Sequence, residues 1–172
     1  LDAPWEVVLV HGEVLNLETD GIEGADLTGT RIVADHNVVV FGGHECANIP
    51  VGINYCDHVE QQLYPVDAWG SSYIGDAFAK RSASQVDTWR ILAGADGVQV
   101  TLDPPVADPP ESLDRGEFFE FDAAQSFRVD ATGPILVGHY LQGSNYPGFS
   151  PSCGTTGIGD PAFTLGVPVD QY

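Results

Sequence analysis

Lysine is almost missing from this 172-residue chain: Lys80 stands alone, and Lys and Arg together number 6 against 25 Asp and Glu. The formal net charge of −19 repels phosphate backbones and anionic headgroups, so nucleic acid and anionic membranes are excluded as partners. No apolar run approaches the roughly 18 residues a membrane-spanning helix needs, so membrane insertion is not expected. No stretch keeps a 3.6-residue hydrophobic period over three turns, so helices do not set the fold. Methionine is absent and the chain opens LDAPW, which leads us to expect a processed mature protein or an excised domain. A GxSxG elbow, a phosphate loop and CxxC or HxxxH zinc spacings are missing too, and with them the usual signs of nucleophilic, nucleotide and zinc chemistry.

The hydrophobic content of 43% is ordinary for a globular chain, and 172 residues suffice for one domain with its own core. No repeat or linker divides it, so residues 1–172 are read as a single domain. The acidity reads as a solvated coat suited to saline surroundings. Binding of hard divalent cations is the sharper alternative. The EF-hand pattern fails, because Asp20-Gly21-Ile22-Glu23 puts an apolar residue third, so no cofactor is expected and a structural calcium is the weaker candidate.

Short β-branched stretches are what the chain does have. Residues 6–17 (EVVLVHGEVLNL) alternate, with Gly12 as a bulge or turn, and residues 30–34 make a short strand. The apolar run 38–41 predicts a strand buried on both faces. Further strands are expected at 59–63, 69–78, 88–93 and 98–102, the last two paired as a hairpin through Gly94-Ala95-Asp96-Gly97. Residues 116–121 and 126–129 predict a second hairpin or meander, and 135–142 and 162–169 close the set. The proline-rich stretch 103–110 is excluded from any central strand. Roughly ten short, mainly antiparallel strands define an all-β domain, a β-sandwich or a partly closed barrel.

The stretch 38–63 concentrates chemistry, with two of the three cysteines, two of the five histidines and three carboxylates. Cys46 and Cys56 bound a loop of Gly, Pro and Asn, which suits a local disulfide in an oxidising compartment; zinc is the competing reading. Cys153 is then left over, either free and buried, an intermolecular thiol, or paired with a segment elsewhere. His44, Glu45, Asp57, His58 and Glu60 could meet around the bridge to ligate a metal or move protons. Hydrogen bonding within an irregular loop is the blander and preferred role. The aromatics Trp5, Trp69, Trp89, Tyr64, Tyr73, Tyr140 and Tyr146 read as core or half-buried strand residues. The alternative is a glycan platform, with Asp67-Ala68-Trp69 and Asn145-Tyr146 as the candidates near loops.

Six blocks carry a resemblance: DLTGTRI at 26–32, VVVFGGHECANIP at 38–50, CDHVEQQLYPVDAWG at 56–70, RILAGADGVQVTL at 90–102, PILVGHY at 134–140 and GDPAFTLGVPVDQY at 159–172. Together they resemble the N-terminal domain family of the IgGFc-binding protein, which also occurs in bacterial surface proteins. The resemblance implies a secreted or cell-surface, all-β, disulfide-containing module that is not an enzyme. Its expected work is adhesion to a protein or glycan ligand, with His44, Glu45, Asp57, His58, Glu60 and Trp69 as the candidate binding loop. The alternative is a structural subunit of an extracellular filament or sheath, in which copies of the chain join by β-strand addition through residues 6–10 or 164–169.

Overall fold

The computed structural model describes residues 4–22, 24–145 and 159–172, and among them eight strands rather than ten carry the chain. They are β1 Phe41–Ala47, β2 Asp57–Gln62, β3 Gly70–Gly75, β4 Asp87–Ala93, β5 Val100–Asp103, β6 Phe118–Ala123, β7 Phe127–Leu141 and β8 Ala162–Leu165. All ladders are antiparallel, and they form two sheets with no closed barrel, consistent with a β-sandwich.

β7 organises the larger sheet. Its first half pairs with β3 and β5, through Tyr73↔Val129 and Leu102↔Val129. Its second half pairs with β4 and β8, through Trp89↔His139 and Tyr140↔Phe163. The register against β3 shifts between Asp130 and Ile135, around Gly133-Pro134, so the strand bends there and brings its two halves into different layers. Alternate residues of β4, β6 and the second half of β7 then face the side chains of β3, β5 and the first half of β7. Trp89, Ile91, Phe121, Val129, Ile135 and Val137 make that shared core. Removing each such side chain from water contributes about 1.5–3 kcal/mol.

Both expected hairpins are corrected. β4 and β5 do not pair with each other; each pairs with β7, because the Gly94–Gly97 connection carries the chain from one layer to the other. β6 and β7 do not pair either, since β4 lies between them. The gap read between residues 129 and 135 is absent, and one 15-residue strand runs through it.

The largest correction concerns the first forty residues. Residues 6–17 and 30–34 form no strand, and the run at 38–41 is not buried on both faces: Val39 is 65% and Phe41 59% exposed. Among the described residues, the backbone bonds of segment 4–40 are turn closures, Glu13 to Val10, Ala25 to Ile22 and Thr30 to Leu27, plus Leu63 N–H to the Val40 carbonyl. Strand propensity needs an adjacent ladder to act on, and no described strand runs beside residues 6–17.

Candidate binding surface

The smaller sheet is the β1–β2 hairpin, clasped at its loop end by the Cys46–Cys56 disulfide. Close strand approach requires glycine at Gly43, where a Cβ would collide with the Val59 carbonyl. The loop between the cysteines rests on the end of β7: Gly143 N–H donates to the Ile49 carbonyl at 2.7 Å and Asn145 N–H to that of Asn54 at 3.1 Å. Ile49 is buried beneath it. The disulfide closes a ten-residue separation, so the double variant Cys46→Ala/Cys56→Ala should lose about 2–3 kcal/mol of stability, read as a lower urea midpoint.

The expected polar cluster is divided by this geometry. His44 pairs with Val59 across the ladder, so it lies on the opposite face from His58 and Glu60. His44 Nδ1 accepts the Cys46 N–H at 2.9 Å, and the Asp57 carboxylate accepts the adjacent His58 N–H. His58 Nε2 stands 3.6 Å from Glu60, both well exposed, and Glu45 is exposed as well. Among the described residues, no group of three or more His, Cys, Asp and Glu side chains is placed to hold a metal ion. Trp69 belongs elsewhere. Its indole N–H donates to the Tyr64 carbonyl at 3.0 Å and its ring lies against Gly94 at the end of β4. Trp89 and Tyr73 are core residues and Tyr140 is half-buried, whereas Trp5 is exposed. Cys153 and Tyr146 lie outside the described residues.

The residue that sequence reasoning missed is Arg90, on the sheet face opposite the core. Its guanidinium donates to Asp26 Oδ2 at 2.7 Å, to Thr28 Oγ1 at 2.6 Å and to Glu120 Oε2 at 2.6 and 3.0 Å, and it lies 4.3 Å from the centre of the Phe118 ring. This fixes the 26–29 turn of the N-terminal segment to β4 and β6. Asp26 Oδ1 accepts the Thr28 N–H, Thr30 N–H closes on Leu27, and Gly29 at φ +88° lies against the Gly116 backbone so tightly that any Cβ would collide. Burial works against the Asp26 charge, but its bonds to Thr28 and the Arg90 cation hold the carboxyl below its ordinary value. Burial pushes the nearby Tyr140 phenol up to about 12. The available sequence signal was an arginine at an alternating position inside TWRILA, in a chain with so few cations.

Beyond the staple, the segment stands away from the sheet. A cleft of about 950 Å³ opens within it, walled by Trp5, Val7, Leu15, Leu17, Leu27 and Ile32 among others. Val8 is 83% and Val14 91% exposed. No helix among the described residues is long and apolar enough to cross a membrane.

A β-sandwich with a disulfide-clasped hairpin and a wide apolar surface is thus the class of molecule at hand. The chain belongs to the IgGFc binding protein family, whose sequence model matches residues 2–172. Human IgGFc-binding protein is 30% identical over 119 residues, which is 69% of this chain, and the match spans only 2% of the human protein's length. No solved structure matches the chain.

Proposed function

We propose that this domain is an extracellular, non-enzymatic adhesion module that binds a protein partner through residues 5–41 and the exposed side of the β1–β2 hairpin. The observation that carries the reading is the exposed apolar surface of the N-terminal segment, since large contiguous patches of this kind mark interaction sites. The disulfide and the family support an oxidising, secreted or cell-surface setting. Glu45, His58 and Glu60, exposed on the hairpin, are the polar residues nearest to hand for such a partner. The exposed residues of this segment are mostly aliphatic, with Trp5 and Phe41 as its exposed aromatics, and an apolar surface of this kind favours a protein over a glycan ligand.

The human relative's name supplies the first probe, the Fc region of IgG. Surface plasmon resonance of Fc over the immobilised domain should show saturable binding, weakened at least about tenfold (1.4 kcal/mol) in Val8→Asp/Val14→Asp. Binding unchanged by that pair would place the contact elsewhere. A second reading, a filament subunit joined by strand addition, draws on the unpaired residues 6–10. Light scattering that finds only an 18.3 kDa particle would remove it.

A further inference from the structure

We propose that residues 6–10 take an extended, positively charged polypeptide as a β-ladder partner; the proposal rests on the protein-binding reading above and supplies its mode. Glu6-Val7-Val8-Leu9-Val10 is written as a strand, alternating and β-branched. Yet among the described residues the backbone bonds of this stretch are Glu13 N–H to the Val10 carbonyl and Val10 N–H to the Glu13 carboxylate. The remaining N–H and C=O groups face solvent, which is the template strand addition uses.

The stretch lies outside the core. The Arg90 staple secures residues 26–29, and the apolar cleft beside Trp5, Val7 and Leu15 offers room for alternate side chains of an incoming strand. Charge selects the partner. Glu6, Glu13, Glu18, Asp20 and Asp35 run along the segment, with Arg31 as its one cation. A second copy would bring another −19 to the interface, whereas a cationic strand meets complementary potential.

The test is amide hydrogen exchange on the 172-residue protein at low salt. The probe is a ten-residue peptide alternating Val with Lys, and its Val/Glu counterpart is the control. The expected result is fast exchange at residues 7–9 in the free protein and at least about tenfold protection of alternate N–H groups there with saturating Val/Lys peptide. The Val/Glu peptide should give none, and added salt should weaken the effect. A ladder uses alternate N–H groups, and proline removes one, so either Val7→Pro or Val8→Pro should weaken peptide binding at least about tenfold. Both side chains lie outside the core, so the melting temperature should hold. Absence of protection, equal protection by both peptides, or full binding by both proline variants would overturn the proposal. Protection without peptide that grows with protein concentration would assign the site to a second copy and overturn it too. Fc binding that persists without protection at residues 7–9 rejects this mode alone, whereas loss of all protein binding rejects the underlying reading.

Discussion

Arg90→Ala should lower the melting temperature by about 5–10 °C and open the chain to trypsin at Arg31. The guanidinium is mostly shielded and serves Asp26, Thr28 and Glu120 at once, while its plane covers Phe118. Removal leaves the partly buried Asp26 carboxylate without its cation and takes away the contact that fixes residues 26–29 to the sheet. Asp26 and Glu120 are themselves partly solvated, so the loss falls below that of a fully buried pair, about 2–3 kcal/mol. For a chain of this size each kcal/mol moves the midpoint by about 2–4 °C. Calorimetry reads the first effect and timed proteolysis the second. Arg90→Ala with wild-type cleavage kinetics at Arg31 would show that the staple does not hold the segment.

Asp87→Ala should be more damaging, at about 3–5 kcal/mol, because three donors converge on one carboxylate that is 2% exposed. Asp87 Oδ2 accepts the Phe78 N–H at 2.7 Å and His139 Nε2 lies 3.0 Å away; Oδ1 accepts from Gln85 at 3.0 Å. The His139 ring is held between Trp89, at 3.7 Å, and Phe78, at 3.9 Å. An alanine would leave buried donors without acceptors at the base of the core.

The same carboxylate gives the fold an acid limit. Burial raises the proton affinity of Asp87, but the bonds from His139, Gln85 and Phe78 outweigh it and hold the folded value below 3.8. A group depressed on folding contributes stability that is present above its unfolded value of 3.8 and lost as pH falls through the folded one. Asp26 acts in the same direction. The urea midpoint should therefore decline below about pH 4, and Asp87→Asn, which no longer titrates there, should decline less steeply. An identical slope in wild type and Asp87→Asn would show that Asp87 does not set this limit.

The β-class was legible because Val98, Val100 and Leu102, or Trp89, Ile91 and Ala93, alternate as a strand must. Pairing was not, because sequence neighbours are joined only where a tight turn keeps them in one layer. The gap read between residues 129 and 135 holds Gly133-Pro134, which accommodates the bend in β7 that separates β5 from β4, while β4 lies between β6 and β7. The run at 38–41 looked doubly buried because four apolar residues in a row ordinarily need cover on both sides; here that cover is missing. Within the candidate surface, the Cys46–Cys56 bridge followed from loop length and composition. The Arg90 staple did not, since Asp26 lies 64 residues away and no local pattern marks so distant a partner.

The clasp on the β1–β2 hairpin also decides how the domain would carry tension. A pull along the backbone enters through β1 and passes from Cys46 to Cys56 through the disulfide. Residues 47–55 lie outside that covalent path, so a pull on the chain cannot extend the loop while the disulfide is intact. Because β1 and β2 are antiparallel and joined at their Cys46–Cys56 end, tension entering at Phe41 and leaving at Gln62 peels the ladder one pair at a time and is stopped at the disulfide.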